Sequence, residues 1–151
     1  MGSASQGVIE LRRRSLHPAQ KTVLCVDDDA AIARFLARWL GRQGYQAVAV
    51  SEPEAAVELL LGTPRPVHAL ITDQTMPGLT GLELAHLAVS RRPDLVVFLA
   101  TALDDRLLPD ELASSGVSYL VAKPFALPEV ANALGEALGG PEAARRRVPR
   151  R

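Results

Sequence analysis

Residues 22–29 read Thr22-Val23-Leu24-Cys25-Val26-Asp27-Asp28-Asp29, an apolar run that stops abruptly at three carboxylates. Such a run, with no alternation of polar and apolar positions, is the pattern of a strand buried on both faces, as in parallel sheets covered by helices. The next residues change period. Ile32, Phe35, Leu36, Trp39 and Leu40 recur at helical spacing, so a helix follows, its inner face carrying those five side chains and its end marked by Gly41 and Gly44.

The same alternation continues to residue 140. Tyr45 to Val50 is a second strand. Ser51 and Glu54 have the spacing of a capping box, which opens a helix through Leu61 that Gly62 and Pro64 terminate. Val67 to Thr72 is a third strand, delivering Asp73, and a helix from Gly81 to Arg92 follows the loop Met76-Pro77-Gly78. Leu95 to Ala100 is the fourth strand, ending at Thr101, with a helix near Leu108 to Ser115 after it. Val117 to Ala122 is the fifth strand, ending at Lys123, and the last helix runs from Pro128 to Leu138 with Val130, Leu134 and Leu138 inward. Strand–helix alternation repeated in this way predicts an α/β fold, a doubly wound five-stranded parallel sheet with helices on both faces. Its expected strand order is the flavodoxin-like 2-1-3-4-5, in which ligands sit beyond the carboxyl ends of the strands.

Composition bounds the rest. The 151 residues are 48% hydrophobic and 23% charged, a globular balance with room for one core. No apolar run approaches the ~20 residues of a membrane helix, so no membrane partner is expected. Residues 1–20 show no secretory signal, and the single Cys25 fits a reducing cytoplasm. The net charge of zero hides an asymmetry: residues 21–140 hold nine Lys/Arg against fifteen Asp/Glu, while both ends are basic. Residues 1–20 read as a flexible basic extension and residues 141–151 as a basic tail, solvated rather than bound to nucleic acid.

The chemistry gathers at the strand ends. In the order 2-1-3-4-5, strands one, three, four and five are adjacent. Asp27, Asp28 and Asp29 would therefore meet Asp73, Thr101 and Lys123 along one edge of the sheet. Crowded carboxylates repel unless a cation is present. A hard cation such as Mg²⁺ takes oxygen ligands and keeps part of its shell for water and phosphate. Lys123 supplies a mobile positive charge and Thr101 a hydroxyl donor. Asp73 is the expected nucleophile, since carboxylates form aspartyl phosphates. Charge neutralisation and positioning are most of what phosphoryl transfer requires. Asp29, or Asp28, doubles as a helix N-cap. Cys25 and Trp39 read as core, and His17, His68 and His86 lack metal-ligand spacing.

The segments VDDD at 26–29, TDQTMPGLTGLELA at 72–85, ATA at 100–102 and AKPF at 122–125 resemble the receiver domains of two-component signalling, the CheY-like family. The resemblance covers residues 20–140. It implies that Asp73 is the phosphoacceptor, and that Asp28, Asp73 and the backbone carbonyl of Thr75 bind Mg²⁺, with Asp27 acting through water. It implies that Thr101 moves toward the phosphoryl group, that Lys123 pairs with it, and that the Lys123-Pro124 bond is cis. The donor would be a phosphohistidine on a histidine kinase or phosphotransfer protein; the downstream target is not named by the sequence. In the family, the residues two after the acceptor and two after the threonine flank the attacking water. Here they are Thr75 and Leu103, which predicts slow self-dephosphorylation.

Two positions depart from the family. Leu120 stands three residues before the lysine, where receivers carry Tyr or Phe, and Tyr119 is one place earlier. Pro109 falls within the expected fourth helix, which must therefore begin late or bend. Two other functions compete. A phosphohydrolase of the haloacid-dehalogenase type would use Asp27-x-Asp29 but leaves Asp73 without a role. A non-phosphorylated interaction module would keep the fold alone, with the Leu120 departure as its support.

Overall fold

A computed structural model describes residues 21–62 and 64–139. The expectations for the two basic ends, including Arg145, Arg146, Arg147, Arg150 and Arg151, lie outside these described residues. The elements alternate as β1 (Thr22–Val26), α1 (Ala30–Arg42), β2 (Gln46–Val50), α2 (Pro53–Leu61), β3 (Ala69–Asp73), α3 (Gly81–Arg91), β4 (Val96–Thr101), α4 (Pro109–Ser114), β5 (Tyr119–Ala122) and α5 (Leu127–Leu138). The sheet has five strands in the order β2-β1-β3-β4-β5, and every pairing is parallel, as the alternation predicts.

Period-two alternation along the strands divides the core into two layers. Leu24, Val26, Leu70 and Val97 point to one face, against Ala56 and Leu60 of α2 and Leu84, Ala85 and Ala88 of α3. Val23, Cys25, Ala69, Ile71 and Phe98 point to the other, against Leu36 and Leu40 of α1 and Val130 and Leu134 of α5. Full burial of the Val, Leu, Ile and Phe side chains among these stabilises by roughly 1.5–3 kcal/mol each. β1 and β3 are buried along their whole length, which places their carboxyl ends at the centre of one sheet edge. β5 is the exposed edge strand, and α4 buries nothing.

Several local expectations are corrected. No Ser51–Glu54 capping box forms: α2 starts with Pro53 in its first turn, Glu52 is the cap residue, and it makes no side-chain cap bond. Proline favours the first helical position, so the start moves past Ser51. On α1 the buried stripe is Ala33, Leu36 and Leu40, whereas Phe35 is 55% exposed. Trp39 packs half-buried at the flank of the core. β3 begins at Ala69 rather than Val67. β5 begins at Tyr119 rather than Val117, because Gly116 turns at φ 83° and the Ser115 hydroxyl accepts the Val117 N–H. Pro109 sits in the first turn of a short α4, so that helix does begin late.

Candidate functional site

Each chemical side chain is fixed by the strand that ends at it. β1 releases Asp27, whose N–H still donates to the Val50 carbonyl at 3.1 Å, so its backbone continues the sheet. Its Oδ1 accepts the Asp29 N–H at 2.9 Å. Asp29 caps α1, its side chain accepting from the N–H groups of Ala31 and Ile32. That leaves Asp28, exposed, facing the edge with Asp27 and Asp73. Asp73 ends β3, paired in register with Ala100 of β4, and Thr101 is the next residue along. The Lys123 N–H donates to the Thr101 carbonyl at 2.9 Å, which aligns the end of β5 with the end of β4. The Lys123-Pro124 peptide is cis, as the resemblance implied.

Lys123 closes the cluster. Its Nζ lies 2.7 Å from Asp27 Oδ2 and 3.1 Å from Asp73 Oδ1. Asp27, Asp28 and Asp73 each place a carboxylate oxygen so that the set lies within 4.8 Å of one another. Three carboxylates against one ammonium leave the edge net negative. Burial raises the Asp73 pKa above the ordinary carboxylate value; the Lys123 hydrogen bond and charge oppose this in part, and Asp27 and Asp28 add to it. For Lys123, burial works downward, but the bonds and charges of Asp27 and Asp73 together hold its pKa above the usual lysine value. An all-oxygen donor set of this span fits a hard divalent cation, since ligands on opposite sides of Mg²⁺ lie about 4.2 Å apart.

Three contributions escaped the sequence reading. Gly81 opens α3 against the end of β3: a Cβ there would overlap the Asp73 carbonyl oxygen and the Leu99 side chain. Gln74 holds the same junction, its carbonyl accepting the Gly81 N–H and its side chain the Leu82 N–H. Asp105 accepts the Thr75 hydroxyl at 2.7 Å and the Ala102 N–H at 2.7 Å. Leu103 is fully exposed in the same loop. At the position where receivers carry an aromatic, Leu120 is 53% exposed, and the Tyr119 ring stacks on Phe98 at 4.7 Å between centroids. The use of Asp29 as a helix cap leaves the Asp-x-Asp reading of a phosphohydrolase without its second acid. Among the described residues, no helix is long and apolar enough to cross a membrane.

Known proteins resemble this chain in sequence and in fold. The response regulator receiver protein CpdR of Brucella abortus is 30% identical over 118 residues, 78% of this chain and 97% of its own length. A cyclic di-GMP phosphodiesterase of Thermotoga maritima is 29% identical over 106 residues, 70% of this chain but 28% of that longer protein. The chain likewise spans 46% of MprA response regulators from mycobacteria. In fold, it superimposes on a receiver domain from Clostridium thermocellum with a TM-score of 0.72 at 18% identity, covering 82% of this chain and 98% of that one. The response regulator receiver domain profile matches residues 23–135 in one continuous stretch. A chain matched by that family over residues 23–135, with Asp27, Asp28, Asp73 and Lys123 inside the matched stretch, belongs to the response regulator receiver domain family.

Proposed function

We propose that this chain is a phosphoacceptor that takes a phosphoryl group on Asp73 from a phosphohistidine of a histidine kinase or phosphotransfer protein. The observation that carries the reading is the reach of Lys123 Nζ to both Asp27 and Asp73 across the strand ends, with Asp28 in the same cluster. The receiver unit spans 21–140, and its setting is the cytoplasm, in keeping with the lone thiol of Cys25.

Asp28, Asp73 and the Thr75 carbonyl would hold Mg²⁺, with Asp27 behind a water. The bound ion would neutralise charge on the incoming phosphoryl oxygens. An Asp73 oxygen forms the new O–P bond as the donor N–P bond breaks, and the departing imidazole nitrogen keeps the electron pair and takes a proton. Lys123, held beside Asp73 at 3.1 Å, pairs with a phosphoryl oxygen, and Thr101 donates its hydroxyl to another. The added negative charge then shifts the equilibrium between two loop arrangements, which partners read. The chain catalyses only its own phosphorylation and dephosphorylation.

Incubation with acetyl phosphate and Mg²⁺ tests the reading. One acid-stable, base-labile phosphoryl group should appear, and Asp73→Asn should abolish it. Full labelling of the Asn variant would remove the assignment.

A further inference from the structure

Asp105 lies in no recognised motif, yet its carboxylate joins the two loops that border the site. Its own position is set by the end of β4. The Asp105 N–H donates to the Ala102 carbonyl at 3.1 Å, and the Asp105 Oδ2 accepts the Ala102 N–H at 2.7 Å. The side chain is thus anchored from two directions in a tight turn immediately after Thr101. From there Oδ1 accepts the Thr75 hydroxyl at 2.7 Å, across a sequence separation of 30 residues. Thr75 itself is exposed and belongs to the loop after Asp73. Bonds of this length to an ionised carboxylate are the strong class of hydrogen bond, and they fix direction as well as distance.

We propose that Asp105 is a positioning residue for the metal: by holding the Thr75 side chain at 2.7 Å it fixes the residue that would offer its backbone carbonyl to the cation. This rests on the phosphoacceptor reading above, which makes that carbonyl a ligand. Mg²⁺ demands near-ideal octahedral geometry, so a ligand on an exposed loop contributes only if the loop is held. Groups that orient a ligand from behind typically change metal affinity by 10–100-fold when removed. Because one Asp105 oxygen is tied to Ala102, the residue that follows Thr101, the tie also links the end of β4 to Thr75.

The test is Mg²⁺ binding to the unphosphorylated full chain by titration calorimetry, independent of any turnover. Asp105→Ala should weaken binding roughly tenfold, the low end for an orienting group. Thr75→Val removes the hydroxyl without changing charge or the backbone carbonyl, and it should lose the same factor. The double variant should lose no more than either single one, since both remove one interaction. Asp104→Asn removes a neighbouring charge without touching the tie and should stay within about twofold of native. Asp28→Ala identifies the site by abolishing binding. Native affinity in Asp105→Ala, additive losses in the double variant, or an equal loss in Asp104→Asn would each overturn the proposal while leaving the phosphoacceptor reading intact. If native Mg²⁺ binding is absent or insensitive to Asp28, the phosphoacceptor reading fails and the positioning role falls with it.

Discussion

Replacing Asp73 by Asn should stabilise the fold in metal-free buffer while abolishing phosphorylation. Asp73 shares its edge with Asp27 and Asp28, with carboxylate oxygens no more than 4.8 Å apart. At an effective dielectric near 20, each such pair repels by about 3.5 kcal/mol, so the two neighbours cost about 7 kcal/mol. Lys123 at 3.1 Å returns about 5 kcal/mol on the same scale. The balance is unfavourable even before the desolvation of a carboxylate that is only 9% exposed. Asparagine removes all three charge terms, and Lys123 keeps its 2.7 Å bond to Asp27. A net gain of about 1–2 kcal/mol is expected, or about 3–6 °C in Tm for a chain of this size. The assay is thermal unfolding followed by Trp39 fluorescence, first with EDTA and then with excess Mg²⁺. Metal binding to the native protein at a hundred times Kd adds about 2.7 kcal/mol, so the order of the two proteins should invert in Mg²⁺. A lower Tm for Asp73→Asn in EDTA would mean that Lys123 already neutralises the cluster, and the repulsion argument would fail.

Two further outcomes are expected. Leu103 is fully exposed beside the site and has no polar atom to hold a water, and the Thr75 hydroxyl donates to Asp105, so the phosphorylated protein should decay slowly. Leu103→Gln and Leu103→Glu should speed the decay about tenfold, the value of one added hydrogen bond to the attacking water; unchanged lifetimes in both would exclude water placement as the limit. His68 Nδ1 accepts the Thr22 N–H at 2.9 Å, and partial burial, with help from Lys21, lowers its pKa below the ordinary value. On acidification the unfolded chain therefore takes up the proton first, so His68 favours folding above about pH 6.5 and loses that contribution as pH falls toward its folded pKa. Urea midpoints should drop between about pH 7.5 and about pH 5 more for native protein than for His68→Gln, and equal drops would show that this imidazole is not linked to stability.

The grouping of these side chains was legible because four strands end at or just before them. Val26 gives way to Asp27, Thr72 to Asp73, Ala100 to Thr101 and Ala122 to Lys123, and a known strand order turns those breaks into neighbours. The layers were legible for the same reason, since the strand runs are apolar on both faces. Position within a helix was less so. Phe35 has the right spacing to be buried, but α1 rests on Ala33, Leu36 and Leu40, and the larger ring falls one step off that stripe. Ser51 has the chemistry of a cap, but Pro53 decides where α2 begins. Asp105 and Gly81 were hidden for a different reason. One acts through a side-chain bond to a distant loop and the other by what it lacks, and neither leaves a local pattern in a single chain.

Cys25 carries a consequence beyond packing. It is the only sulfhydryl in the chain, lies fully buried in β1 between β2 and β3, and burial pushes its pKa up to about 12. At neutral pH its reactive thiolate is then on the order of one molecule in 10⁵. Oxidants and alkylating reagents meet that sulfur only when the middle of the sheet parts. Its alkylation rate is thus a clock for opening of the strand that carries Asp27, and within the folded protein peroxide and phosphoryl donors address separate chemistry.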